Sequence, residues 1–99
     1  MSGFVITAYR QVSREGQLIT EVEYAGPAEV GEVREFYRGL FEQHGWTFTE
    51  EWVLGHKSTD SVTAAGRHGT VEIDRADGAT EVRIELFEPV VTRGVTTDR

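Results

Sequence analysis

His44, His56 and His68 are the side chains of this 99-residue sequence whose ordinary pKa values lie nearest neutrality, so acid–base or metal chemistry would start with them. A metal site needs two or three such groups at ligand spacing with a carboxylate beside them. The three fall at a predicted helix end and in two predicted loops, without a His-x-x-x-His spacing, and imply no metal. His44 has an ordinary role at a helix C-terminus, where its protonated ring favours the dipole. The most visible acidic pair, Glu50-Glu51, lies in a predicted strand, where neighbouring side chains point to opposite faces and do not share a substrate. Glu50 alone is more interesting. It has the parity of Phe48 and Trp52, and an apolar setting raises a carboxylate's pKa unless a bulge releases it to water or an arginine meets it. Nucleophile signatures are missing: there is no cysteine and no Gly-x-Ser-x-Gly, and Ser58 and Ser61 have no recognisable base. "GRHG" lacks the Lys-Ser/Thr and following helix of a phosphate loop and reads as a tight turn. No catalytic residue and no cofactor is assigned.

Seventeen carboxylates against ten basic residues give a formal charge of −7, spread along the chain. Nucleic-acid affinity rests on clustered Lys and Arg neutralising phosphate, and here the arginines stand singly, so neither nucleic acid nor an anionic membrane is an expected partner. The cysteine-free composition fits a reducing compartment. "MSGFVITAYR" has no basic n-region or long apolar h-region, which gives a cytoplasmic reading, although a secreted chain trimmed of its leader would read the same way.

The elements that must position these residues follow from periodicity. Residues 4–12 are β-branched and aromatic, "SREGQ" turns the chain, and "LITEVEYAG" alternates, which together predict an N-terminal hairpin. Gly26-Pro27 breaks it, and a helix over 27–44 follows, with Pro27 as its first residue and Gly45 as its stop. Val30, Val33, Phe36, Tyr37, Leu40, Phe41 and His44 form its apolar stripe, with Glu35, Arg38 and Glu42 opposite and Arg38 spaced to pair with Glu42. "WTFTEEWVL" is a strand with Trp46, Phe48, Glu50, Trp52 and Leu54 on one face, and "GHKSTD" is a polar loop. Residues 61–75 are either a hairpin turning at 66–69, the preferred reading, or one strand with a glycine bulge. Asp77-Gly78 closes a last hairpin in which Val71 and Ile73 face Val82, Ile84 and Leu86. The fold class is therefore α+β: an antiparallel sheet of four to six strands with one amphipathic helix on one face, in the order β-β-α-β-β-β-β, with a single domain over 1–87 and a loosely ordered tail over 88–99.

A lone helix on such a sheet needs large side chains, so Phe36, Tyr37, Leu40 and Phe41 read first as core. The alternative is a pocket for a small apolar ligand, or a minimal active site, between helix and sheet around Tyr24, Tyr37, Glu50 and Trp52. The stretch "FYRGLFEQHGW", after "VEYAGPAEVGEV" and before a two-tryptophan strand, resembles small uncharacterised bacterial α+β domains. In these, a Phe-Tyr-x-x-x-Leu/Phe helix is followed by Gly-Trp. "GRHGTVEID" is similar to the turn and strand that follow there, so the likeness spans about residues 17–87. It implies a helix-grip-like arrangement of helix on sheet and transfers no catalytic residue. The overall expectation is a noncatalytic protein-binding module whose partner, another protein or a second copy, is reached through a strand edge, that of the first strand, or through the Tyr9 side of the first hairpin.

Overall fold

The computed structural model describes residues 3–89, with every side chain among them except that of Trp52. Six strands and one helix follow the expected order: β1 (Val5–Arg14), β2 (Gln17–Gly26), α1 (Val30–Gln43), β3 (Thr47–Leu54), β4 (Lys57–Ala64), β5 (Arg67–Ala76) and β6 (Ala79–Pro89). They form one antiparallel sheet in the spatial order β1-β2-β6-β5-β4-β3. The helix thus carries the chain from one side of the sheet to the other, and β3 to β6 meander back until β6 pairs with β2. Two-residue turns make this meander possible. Glu15-Gly16 and Asp77-Gly78 both take positive φ at each position, the twist that joins right-handed strands without splaying them.

Several expected boundaries move, each for a physical reason. The helix starts at Val30, not Pro27, because the Ala28 carbonyl accepts hydrogen bonds from Thr80 Oγ1 and from Arg75 Nη1 (3.0 Å) and so pins the chain in extended form. Glu29 is the N-cap, its carbonyl accepts the first helical bond from Val33, and its N–H donates to the Glu32 carboxylate. At the other end Trp46 N–H donates to the Phe41 carbonyl and Gly45 N–H to that of Glu42, with Gly45 at φ 85°. This is a Schellman stop that folds the Trp46 ring edge-on against Phe41 at 5.5 Å. "GHKSTD" is a loop only at Gly55-His56, and from Lys57 it is β4. The 61–75 hairpin is present but turns at Ala65-Gly66, leaving Gly69 inside β5. Glu88 and Pro89 belong to β6, opposite Leu18 and Gln17, so the domain extends past 87; the rest of the expected tail lies outside the described residues.

The core is one cluster under the helix: Val30, Val33, Tyr37 and Phe41 against Trp46, Phe48, Val62, Val71, Ile73, Val82 and Ile84. Gly69 is part of this fit. A Cβ there would overlap the Glu85 carbonyl oxygen and stand 2.7 Å from Leu86 Cδ2, so the β5–β6 backbones would have to part. Gly69→Ala is expected to lower stability by about 1–3 kcal/mol, the usual range for overpacking, measured as a shift of the urea midpoint at unchanged slope.

Candidate functional site

A helix is about 10 Å wide, whereas five gaps of about 4.8 Å make the sheet roughly 24 Å across. One helix therefore covers half of one face. Here α1 packs on β3, β4 and β5, and the β1–β2 end of the same face has no second layer among the described residues. The residues that would have needed one are exposed: Ile6 and Tyr9 at 61% each on β1, and Phe36 at 39% and Leu40 at 38% on the helix flank. Helical spacing explains the flank. Val33, Tyr37 and Phe41 point down, Arg34 and Arg38 turn toward β3, and Phe36 and Leu40 fall on the other side, toward β2. The predicted stripe of Val30 to His44 is thus narrower than expected, because Phe36, Leu40 and His44 belong to an open flank instead of the core. Val22 and Tyr24 of β2 form the floor beside them, both half-buried and packed against the core.

Of the proposed pocket residues whose side chains are described, the two tyrosines come together and Glu50 does not join them. Tyr24 and Tyr37 meet, with ring centroids 6.3 Å apart, and burial together with Tyr24 pushes the Tyr37 phenol up to about 12. Glu50 lies on β3, at the opposite edge of the sheet from β1, half exposed and bound by Arg34. Trp52 stands opposite Thr59 because Glu51 is an extra residue in the ladder; its side chain lies outside the described residues. That bulge ends the common face expected for 46–54, and Leu54 is half exposed. A hollow of about 220 Å³ lies instead at the end of the helix, lined by Leu40, Phe41, His44 and Trp46.

A second cluster went unread in the sequence. Asp60 of β4 is wholly buried beneath α1 and accepts hydrogen bonds from Arg34 Nε at 3.3 Å and from Ser58 Oγ at 3.2 Å. Arg34 Nη2 also approaches Glu50 Oε1 at 2.8 Å, off the N–H direction, as an ion pair and not an aligned hydrogen bond. Burial raises the Asp60 pKa more than Arg34 lowers it. The signal was the strict alternation of "SVTA" carried back one turn of the ladder, which puts Ser58 and Asp60 on the parity of Val62. Arg38, expected to pair with Glu42, instead meets Glu35 at 3.6 Å and lies over the Phe48 ring.

On the outer face, carboxylates and arginines alternate across strands, with Arg10–Glu21 at 2.7 Å and Arg83–Glu23 at 3.4 Å. Glu21 and Glu85 stand opposite one another and share a hydrogen bond, which lowers the pKa of Glu21 and raises that of Glu85. The histidines are dispersed: His44 Nδ1 is 2.9 Å from the Leu40 carbonyl, His56 is in a turn, and His68 stacks on Phe87. No group of three or more His, Asp or Glu among the described residues is placed to hold a metal, and no helix among them is long and apolar enough to cross a membrane.

Fold and site together define a two-layer α+β domain in which, among the described residues, half of one sheet face is bare and the largely exposed edge strand β1 pairs on one side only. No protein family, curated protein or solved structure matches the chain.

Proposed function

We propose that the protein is a noncatalytic protein-binding module that receives its partner on the bare half of the helix-side face and along the adjoining edge of β1. The observation that carries this reading is the exposure of Ile6 and Tyr9 on β1 and of Phe36 and Leu40 on the helix flank, on either side of an open step between helix and sheet that no described residue covers. Exposed apolar residues scattered singly need no explanation, but contiguous ones beside an unpaired edge are the pattern of an interaction surface. The partner is a protein and not a nucleic acid, because carboxylates outnumber cations by seventeen to ten. The test is photo-crosslinking in cell extract with benzoylphenylalanine at Tyr9, and at Thr63 on the covered end of the outer face as control. Discrete adducts from Tyr9 that disappear when Phe36→Asp is added support the reading. Adduct levels at Tyr9 no higher than at Thr63 overturn it.

A further inference from the structure

We infer that the occupant of the β1 edge is a second copy of the chain, joined antiparallel through β1 with Gln11 on the dyad. This rests on the reading of that edge as the binding surface and names its partner. The ladder between β1 and β2 is regular from Ala8 to Arg14, since the only register shift falls between Ile6 and Ala8. An incoming strand therefore has seven regular residues to pair with. A two-fold axis perpendicular to the sheet requires opposed residues to share a face, so their numbers must sum to an even value. Pairing centred on Arg10 would set two guanidinium groups directly opposite each other, and pairing centred on Tyr9 would run into the bulge. Centring on Gln11 avoids both. Ala8 then faces Arg14 of the other copy, Tyr9 faces Ser13, and Arg10 faces Val12.

Shape and charge both fit this register. Each long exposed side chain meets a short one: Tyr9 crosses the other copy's Ser13 toward Leu18, the β2 neighbour of Ser13. Arg14 crosses the other copy's Ala8 toward Glu23, the β2 neighbour of Ala8, which extends the existing Glu23–Arg83 pair into a row of alternating charge. The chain's net charge also favours this edge over the other. Of the six described strands β1 alone has no carboxylate, so two copies of charge −7 approach here with the least repulsion, whereas the β3 edge carries Glu50 and Glu51 and a bulge.

The register can be read directly, because the native chain has no cysteine. Opposed residues of an antiparallel pair have Cα atoms about 4.5–5.5 Å apart, within disulfide reach, while four residues along a strand is about 13 Å. Gln11→Cys is expected to yield a rapid intermolecular disulfide under mild oxidation. Tyr9→Cys alone is expected to remain largely reduced, and an equal mixture of Tyr9→Cys and Ser13→Cys to form the mixed dimer. Equal crosslinking of Gln11→Cys and Tyr9→Cys, or none from either, overturns the arrangement. Sedimentation equilibrium supplies the charge test. Arg14→Glu and Glu23→Arg should each weaken self-association at least about tenfold, and mixing the two should restore it, since the heterodimer has opposite charges at both contacts. A native chain that is monomeric at every concentration, while Tyr9 still crosslinks to a foreign protein, removes the second copy and leaves the binding surface. Absence of both removes the surface as well.

Discussion

Replacing Arg34 with methionine is expected to cost about 3–5 kcal/mol at neutral pH, the range found when one member of a buried ion pair is removed and its partner is left uncompensated. Methionine keeps most of the aliphatic volume that Arg34 lays along the helix flank, so the loss is electrostatic more than steric. Asp60 has no exposed surface and keeps only Ser58 as a hydrogen-bonding side chain when the guanidinium is gone. The pH dependence identifies the cause. The Asp60 pKa is already raised in the folded chain, chiefly by burial, and it must rise further without Arg34. A folded pKa above the unfolded one means that the native state binds the proton more tightly, so this contribution is fully present below the ordinary carboxylate value of 3.8 and is lost as pH rises through the folded pKa. The deficit of the Arg34→Met variant should therefore shrink on acidification from pH 7, relative to the native chain at the same pH. Asp60→Asn, which removes the charge and keeps the shape, should relieve most of the deficit in the double variant. Urea unfolding of the four proteins at two pH values checks this, and an additive double variant would show that Arg34 and Asp60 are not energetically coupled.

The layers of this fold were legible because the signals behind them are local. Asp77-Gly78 and Gly16 fix hairpins through backbone conformation alone, and Gly45-Trp46 closes the helix through its own last turn. Val71 and Ile73 pair with Ile84 and Val82 as the alternation required. What failed was whatever depended on distant strands. Nothing within "GHKSTD" distinguishes a polar loop from a strand whose inward positions are Ser58 and Asp60, because the arginine that satisfies Asp60 is 26 residues away. Pro27 was a sound helix start by its own chemistry, until Thr80 and Arg75, on strands more than forty residues later, claimed the Ala28 carbonyl. The strand order is equally nonlocal. With β2 and β3 at opposite sides of the sheet, the helix must cross it, and with six strands one helix cannot cover it. That count, and not any single residue, is what leaves Tyr9 exposed and Phe36 only partly covered. The candidate surface was therefore partly legible, in the edge of the first strand and its Tyr9 side, whereas the helix flank that borders it was read as core.

The adjacent residues Phe36 and Tyr37 turn that distinction into a measurement. Tyr37→Ala should cost about 3–5 kcal/mol, as aromatic truncation in a filled core does, since the ring is buried in the core cluster beside Tyr24. Phe36→Ala should cost less, about 1–2 kcal/mol, much of it the edge-to-face contact with Tyr37 at 5.1 Å, because Phe36 is already 39% exposed. Alkaline pH gives an independent check on Tyr37. Its folded pKa of about 12 exceeds the ordinary 10, so the phenol contributes stability that is complete below pH 10 and is lost as pH rises through 12. Tyr37→Phe should therefore remove part of the alkaline destabilisation while changing little at pH 7. If Phe36→Ala proved as costly as Tyr37→Ala, the Phe36 ring would be part of a closed core in solution, and the open step to which the binding surface is assigned would not exist. Unequal costs keep Phe36 available as the wall of that step, a residue whose large apolar side chain is retained for something other than the stability of the isolated domain.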